Sequence, residues 1–355
     1  MSVQRGPSTV SLLLLLGAAA AWAPAGACRP RGATSSEATL LVPVATAALR
    51  GRNPQVSDIE LFRDGAALVA DLAENTISKF DASGALMWKV GKRGSGPGEF
   101  LTASLVAPCA DGRAWVADVL AQRLTLLAPD GALLRSRPVD VPMNSMDDLL
   151  CVEQGGVIIA GVTSSEQARG SVLHRFDGAG DYLRSFAMLD PSQSPQLLSL
   201  WGVGSIYRVA HDTIMLARWV PLRLERYAIS GSLLGSVPLA DEPASSLDAL
   251  FTVVTDKFGE VASITDGPGA TAASRLTGFV SLSNGRSLVS LGSAESSRLA
   301  LLDSLGRTLR TARLPVESWN QIGYDASKHE VQVGMQRGEE AAVARFKVPA
   351  SWQLL

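Results

Sequence analysis

Residues 65–118 decide the fold, and they read GAALVADLAENTISKFDASGALMWKVGKRGSGPGEF followed directly by LTASLVAPCADGRAWVAD. An apolar run ends at Asp71, a second run covers Ile77–Phe80, and Asp81–Gly84 reverses the chain before a third run. A glycine-rich loop then leads to Phe100, where the pattern starts again. Short runs with a period of two residues, separated by aspartate and glycine turns, predict antiparallel β-strands.

The turn before the fourth run recurs along the chain and reveals an internal repeat. Its glycine lies at Gly84, Gly131, Gly180, Gly231 and Gly306, at intervals of 47, 49, 51 and 75 residues. The last interval contains one period and an insertion, which we place at Asp241–Thr277. Each marker has two strand-like runs before it and one after it, so that each period supplies one four-stranded unit.

A sixth unit is incomplete, because Trp319–Tyr324, Glu330–Met335 and Ala341–Val348 supply three strands and leave little room for a fourth. An unpaired sheet edge would favour aggregation. Ala38–Thr46 can supply the missing strand. We therefore predict an all-β fold, a six-bladed β-propeller of four-stranded antiparallel blades whose ring is closed by the N-terminal strand. A solenoid is the alternative, although it needs no closing strand and usually has shorter repeats.

One motif connects this chain to a known family. The segments Gly98–Ala103 and Ala110–Asp118 resemble the NHL-repeat pattern, in which a glycine loop precedes G-x-F-x-x-P and then D-G-x-x-x-V-A-D. Ala103 stands where proline is usual. The preceding loop GKRGSGPGEF is similar to that of many bacterial six-bladed NHL-like proteins. The resemblance implies the propeller fold, and it implies little about function because this fold hosts many activities.

The N-terminus predicts export. Arg5 precedes an apolar stretch over Val10–Trp22, which is too short for a helix that crosses a bilayer and fits a cleaved signal peptide over residues 1–27. Cys28 follows small residues and resembles the lipid-modified cysteine of bacterial lipoproteins, with ordinary cleavage near Ala25 or Ala27 as the alternative. Residues 28–37 are a predicted flexible tether, and residues 38–355 form the predicted propeller. Both alternatives place the mature protein in the cell envelope, in the periplasm or outside the cell.

Composition limits the partners and cofactors. The formal net charge is −2 and charged residues make up 19% of the chain, so that no basic field favours nucleic acid. We expect membrane contact only through a lipid on Cys28. In an oxidising compartment, Cys109 and Cys151 could form a disulfide or remain as two buried thiols. The chain has no cluster of cysteine and histidine typical of a zinc site.

Motifs for catalysis are weak. The loop Gly94–Gly98 lacks the strand-to-helix context of a phosphate site and predicts a connection between blades. We interpret Asp71 and Asp118 as scaffold residues that accept hydrogen bonds from turn amides. No G-x-S-x-G motif is present. Of the three histidines, His211 is the one that we place near an end of the ring.

Polar residues on or near the first strand of each unit are the candidate ligand-binding residues, because first strands line the axis. They are Ser57, Asp58, Ser104, Asp147, Asp148, Trp201, Arg208 and Asn320. Asp147 and Asp148, with Asp58 or Asn320 across the ring, have the oxygen ligands that calcium prefers. Arg218 and Arg223, with Trp219, could form a polar and aromatic patch at one rim.

These observations favour an exported binding or scaffold protein over an enzyme. A rigid ring with variable loops suits a protein, peptide or glycan ligand and needs no cofactor. The alternative is a calcium-dependent, lactonase-like hydrolase with its metal in the channel. A propeller with a purely structural role is a third hypothesis.

Overall fold

The computed structural model describes residues 39–50, 55–152, 155–190, 193–239, 251–255, 261–266, 275–282, 284–292, 297–314, 318–337 and 340–352. Six antiparallel blades lie in a ring within these residues, so the predicted six-bladed β-propeller is confirmed. The predicted signal peptide, Cys28 and nearly all of the tether lie outside the described residues, and their boundaries stay predictions. No helix in the described part of the chain is long and apolar enough to cross a membrane.

Two short N-terminal strands, β1 (Thr39–Leu40) and β2 (Pro43–Ala48), precede the blades. Blade I contains β3 (Val56–Leu61), β4 (Ala67–Asp71), β5 (Thr76–Phe80) and β6 (Leu86–Val90). Blade II contains β7 (Ala103–Pro108), β8 (Ala114–Asp118), β9 (Arg123–Leu127) and β10 (Leu133–Pro138). Blade III contains β11 (Asp148–Cys151), β12 (Val157–Ala160), β13 (Ser171–Phe176) and β14 (Tyr182–Met188).

Blades IV to VI follow the same plan. Blade IV contains β15 (Gly204–Ala210), β16 (Thr213–Trp219), β17 (Leu222–Ala228) and β18 (Leu233–Pro238). A separate hairpin of β19 (Phe251–Thr255) and β20 (Val261–Asp266) comes next. Blade V contains β21 (Arg275–Ser281), β22 (Ser287–Gly292), β23 (Ser297–Leu302) and β24 (Thr308–Leu314). Blade VI contains β25 (Ser318–Asp325), β26 (Glu330–Arg337) and β27 (Glu340–Lys347).

The first strand of each blade is innermost, and these six strands contact one another in a closed ring, β3, β7, β11, β15, β21, β25 and back to β3. The middle strands β4 and β8 are buried along their whole length because both of their faces pack against neighbouring blades. In β4, Leu68 and Ala70 face blade II, while Ala67 and Val69 face blade VI. Hydrophobic clusters of this kind lie between every pair of adjacent blades. Burial of both faces explains why these strands are nearly continuous apolar runs.

The N-terminal segment closes the ring as predicted, although it does so with β2 alone. Strand β2 pairs antiparallel with β27 and completes blade VI as its fourth strand. Strand β1, which lies inside the predicted closing strand, pairs parallel with β24 of blade V instead. Strands β2 and β27 are thereby held in one sheet, so that the outer edge of β27 is paired.

The marker glycines all adopt the left-handed backbone that their turns require. The φ angles are 83° at Gly84, 85° at Gly131, 82° at Gly180, 105° at Gly231 and 74° at Gly306. At Gly84 a Cβ atom would also lie 2.2 Å from the Ala48 carbonyl oxygen, on the closing strand. Glycine is the residue that tolerates both conditions. The repeat seen in the sequence is therefore a repeat of turn geometry.

The predicted scaffold role of the strand-end aspartates agrees with their contacts. Asp71 accepts hydrogen bonds from the Gln55 and Glu74 amides, and Asp118 accepts them from the amides of Leu101, Thr102 and Ala121. Each carboxylate connects two segments of its blade: the residues that lead into the first strand, and the turn that follows the second strand. In the glycine loop, Glu99 accepts a hydrogen bond from the Gly96 amide at 2.9 Å. That loop joins β6 to β7, as the prediction of a connection between blades required.

Two inserted segments distinguish the fourth blade and its neighbours. Helix α1 (Pro195–Trp201) lies between β14 and β15, and Ser194 caps it by accepting a hydrogen bond from the Leu197 amide. The hairpin β19–β20 lies in the insertion predicted at Asp241–Thr277. Strand β21 begins at Arg275, so that the strand starts two residues before the predicted end of that insertion at Thr277.

Candidate functional site

Two of the predicted channel residues connect neighbouring blades. Asp58 in β3 accepts a hydrogen bond from the Val106 amide in β7 at 2.9 Å. Asp148 in β11 accepts one from the Ile206 amide in β15 at 2.7 Å. The two aspartates hold equivalent places in blades I and III, and each supplies an acceptor for the inner strand of the next blade. Some of the carboxylate oxygens that were predicted to bind a ligand therefore hold neighbouring blades together.

Glu60, which the sequence analysis did not select, completes an acidic cluster with Asp58 and Asp148. It is 1% exposed, and its Oε2 atom has no hydrogen-bond partner among the described residues. Burial raises the pKa of Glu60 well above its ordinary value, and the charges of Asp58 and Asp148 raise it further. The same causes raise the pKa of Asp148. Glu60 lies two residues after Asp58 in one strand, and this alternation was the available signal.

Tyr207 is a buried residue within electrostatic reach of the acidic cluster. Burial raises the pKa of its phenol well above the ordinary value, and the charges of Asp148, Glu60 and Asp58 act in the same direction. The Tyr207 ring packs against Phe279 with the ring centroids 5.8 Å apart.

The calcium ligands expected from the sequence do not come together as a set. The structure places no three histidine, cysteine, aspartate or glutamate side chains so that they could hold a metal ion, within the residues that it describes. Asp147 accepts a hydrogen bond from the Val203 amide at 2.8 Å, whereas Asp148 accepts one from the Ile206 amide. Asn320 belongs to β25, and its side chain lies outside what the structure describes. The donors present therefore do not fit calcium as they are arranged.

Asp147 and Trp201 belong to the mouth where the inner strands begin. The Arg275 guanidinium lies 4.0 Å from the ring centroid of Trp201 and 4.7 Å from that of Trp219. Burial raises the pKa of Asp147 to about 7, while the nearby Arg275 charge opposes that rise. A cation between two indole rings with a carboxyl group in reach is a satisfied arrangement.

The predicted rim patch is wrong for Arg218, because that residue is 2% exposed and its Nε atom donates to Glu225 at 2.7 Å. Arg223 also pairs with Glu225, at 2.7 Å. Ser57 donates to the Ala103 carbonyl at 3.2 Å, and Ser104 donates to the Thr102 carbonyl at 2.9 Å. The two serines thus serve the backbone of the first two blades.

A cavity opens at the other mouth, where the inner strands end, and has a volume of about 690 Å³. We call it the funnel. Its walls come from the inner strands and following turns of blades I to IV, with Phe279 from blade V. A cavity of this size is within the range of small-molecule sites, ~300–1,000 Å³. Of the predicted ligand-binding residues, Arg208 lines it, and His211 lies on its rim as expected.

The funnel walls combine basic and aromatic side chains. Arg63, Lys79 and Arg208 supply the positive charge, and Phe62, Tyr207 and Phe279 supply the rings. The Lys79 ammonium lies 4.2 Å from the centroid of the Phe62 ring. Lys79 is in the third strand of its blade, and the sequence analysis did not select it.

A disulfide bond braces the funnel. Cys109 and Cys151 are bonded, with their Cα atoms 5.3 Å apart, and both line the cavity. They follow and end the inner strands of blades II and III. Of the two alternatives that the sequence left open, the disulfide is therefore the one that the structure shows. Arg208 donates a hydrogen bond to the Cys151 carbonyl, which holds its guanidinium against this wall.

His174 and His329 have structural surroundings. His174 is fully buried in β13, where its ring nitrogens contact the Ser185 hydroxyl and the Gly161 carbonyl, and burial lowers its pKa to about 4. His329 contacts the Tyr324 hydroxyl at 3.0 Å. Neither lines the funnel.

Comparisons with known proteins identify the fold alone. The chain resembles the RRP9 WD40 repeats with a TM-score of 0.56 and 12% identity, over 88% of this chain and 100% of that one. It resembles virginiamycin B lyase from Staphylococcus aureus with a TM-score of 0.53 and 12% identity, over 86% and 99% of the two chains. A member of the duf4221 family from Bacteroides vulgatus matches with a TM-score of 0.51 and 8% identity, over 87% and 98%.

No family model matches the chain, and no curated protein does. The class of protein defined here is the six-bladed β-propeller. The likeness to NHL repeats stays a prediction from two motifs.

Proposed function

We propose that this protein is an exported binding propeller whose ligand occupies the funnel. The observation that carries the proposal is a cavity of about 690 Å³ at one mouth of the channel, with basic and aromatic walls. Such a cavity admits a small ligand or a few side chains of a peptide or protein. Rings and cations would also suit a glycan that bears acidic groups. Loops on a rigid ring can provide such a site without movement of the blades.

Export is part of the proposal and has two supports. The N-terminal sequence predicts a signal peptide, and the Cys109–Cys151 disulfide is typical of proteins from oxidising compartments. A lipid on Cys28 would hold the propeller at a membrane through the tether. The NHL-like motifs support a bacterial envelope protein of this class.

A blocking variant tests the site. Ala210 is exposed at the end of β15 and lines the funnel, so that Ala210→Trp should fill the cavity without disturbing a blade. Ala132 is an exposed alanine that lies outside the funnel lining, and Ala132→Trp is the matched control. The probes are a set of tripeptides and a set of acidic disaccharides, measured by ligand-observed NMR.

We expect some of the probes to bind the natural protein and the control variant, and not Ala210→Trp. Equal binding to both variants would place the site elsewhere and reject the funnel. Failure of every probe to bind the natural protein would also count against the proposal.

A calcium-dependent, lactonase-like hydrolase is the alternative that the sequence analysis raised, although no three histidine, cysteine, aspartate or glutamate side chains in the described part of the chain are arranged to hold a metal ion. A cation that binds the folded protein must raise its melting temperature. An increase with calcium that is lost in Asp148→Asn would favour this candidate, and no increase at millimolar calcium would remove it.

A further inference from the structure

We propose that the funnel recognises an anionic group, a carboxylate or a phosphate, through Lys79, and that Arg63 and Arg208 add positive charge while the ligand's organic body packs against the aromatic wall. This inference rests on the proposed function, because it names the chemistry of the ligand that the funnel binds. It commits to small organic anions.

The surroundings of Lys79 are the observation that supports an anionic ligand. The residue is 7% exposed, and its ammonium contacts the Phe62 ring at 4.2 Å. It has no carboxylate within 4.0 Å among the described residues. Its carbon stem is buried while its ammonium lines the funnel, and a single cation–π contact stabilises that charge by only about 0.5–2 kcal/mol. A bound anion would supply the missing partner.

The other described lysines show the contrast. Lys89 pairs with Glu74, Lys92 with Glu99, Lys328 with Asp325 and Lys347 with Glu330. The side chains of these four lysines are 29%, 75%, 58% and 57% exposed, so that water also reaches each ammonium. The lysine most withdrawn from water is therefore the one that has no carboxylate partner in the described part of the chain.

The sequence places Lys79 in the funnel through strand alternation. Ile77, two residues earlier in β5, packs into the cluster between blades I and II. Lys79 points to the same side, because residues two apart in a strand share a face. It lies near the end of the strand, where the cleft between the two blades widens into the funnel.

The acidic side chains in and near the funnel indicate where on its walls an anion would bind. Asp64 is the acidic side chain among the lining residues, and its Oδ1 atom accepts a hydrogen bond from the Ala66 amide in its own turn. Asp58, Glu60 and Asp148 act electrostatically on Tyr207, so that negative charge on these groups disfavours an anion beside that residue. An anion would therefore lie against the wall near blades I and II, at Lys79.

The organic part of the ligand has its own surface. Tyr207 and Phe279 form a packed aromatic pair across the funnel from Phe62. An aryl or alkyl group between these walls would bury apolar area while its anionic end pairs with Lys79. The inference therefore favours an anion with an apolar body over an inorganic ion.

The test uses three probes that share a phenyl ring and differ in charge. They are 3-phenylpropionate, phenyl phosphate and the neutral 3-phenylpropanamide, titrated by calorimetry into the natural protein. Lys79→Met removes the charge and keeps the length of the side chain. Lys92→Met is the matched control, because the Lys92 side chain is 75% exposed and outside the funnel lining.

We expect at least one of the two anions to bind the natural protein about tenfold more tightly than the amide does, which corresponds to ~1.4 kcal/mol. The control variant Lys92→Met should show the same preference. Lys79→Met should lose that preference and keep its melting temperature, since no carboxylate is left unpaired. A preference for the propionate or for the phosphate identifies the class of anion.

The outcomes separate this inference from the proposed function. If the amide binds as tightly as both anions and Ala210→Trp blocks all three, the funnel is the site and the anion inference is wrong. If the preference for an anion survives in Lys79→Met, Lys79 is not its receptor and the inference is overturned. Absence of binding by both anions at millimolar concentration overturns it as well.

Discussion

At each of the two mouths of the channel a cationic side chain contacts aromatic rings. The two mouths differ in whether a carboxyl group of the protein also lies near the cation. At the mouth where the inner strands begin, Arg275 lies between Trp201 and Trp219 with Asp147 in electrostatic reach. At the funnel, Lys79 contacts Phe62 and has no carboxylate within 4.0 Å among the described residues. The first arrangement is complete within the protein, and the second is completed by a ligand. The partners of a buried cation, more than its exposure, therefore distinguish a structural cation from one that binds a ligand.

The largest effect should come from the wall of the funnel. Replacing Cys109 and Cys151 by serine opens a loop with a sequence separation of 42 residues, which the chain-entropy model values at about 4 kcal/mol. We expect the urea midpoint to fall by a corresponding amount and anion binding in the funnel to weaken. The arrangement at Arg275 should be unaffected, because it lies at the other mouth.

Reductant provides the control for that experiment. It should lower the midpoint of the natural protein toward that of the double variant and leave the double variant unchanged. Equal midpoints for the natural protein and the double variant would show that the disulfide adds nothing to stability.

The next effect compares the two cations directly. Arg275→Met removes two cation–π contacts and leaves Asp147 without its nearby charge, so that the free energy of unfolding should fall by roughly 1–3 kcal/mol. Lys79→Met should change it by less than about 0.5 kcal/mol, because the charge that it removes has no carboxylate partner. Urea denaturation of both variants in one buffer measures the difference. Equal losses would erase the distinction between the two mouths.

The last prediction concerns how the stability of the protein depends on pH through Asp147, at the mouth that contains Arg275. Burial raises the pKa of Asp147 to about 7 in the folded protein, above the ordinary value of ~3.9 for an unfolded chain. Between these values the folded state binds more protons, so that the contribution of Asp147 to stability falls as the pH rises through about 7. Asp147→Asn keeps an acceptor for the Val203 amide and should flatten the stability profile between about pH 4 and 7.

Melting temperatures from pH 4 to 8 measure that slope, with Asp130→Asn on an exposed turn as the matched substitution. A slope that is the same in Asp147→Asn and in the natural protein would show that other groups cause it.

Much of the fold could be predicted because its signals are local. The marker glycines, the aspartates at strand ends and the apolar second strands each follow from the backbone geometry of one blade. The closing strand was also predictable, since three strands at the C-terminus need a fourth. The division of the N-terminal segment into β1 and β2 was not, because pairing with two different blades depends on how blades V and VI are oriented.

The site was predictable only in part. First strands were expected to line the channel, and this expectation located Asp58, Asp148 and Arg208. It missed Glu60, which the alternation with Asp58 could have revealed. It also missed Lys79, because a lysine in a third strand has the same local pattern whether it faces solvent or a cleft. The hydrogen bonds of Asp58 and Asp148 to the next blade required knowledge of the neighbour's register.

The sequence by itself determined the blade, its number of copies and the closure of the ring, because short-range turn geometry and a fixed period specify each of them. Tertiary structure alone decided that Phe62, Lys79 and Arg208 share one cavity and that Cys109 meets Cys151. These residues come from blades I to IV, and only the packing of the blades around the axis brings the ends of their strands together. Local patterns contain no information about that packing.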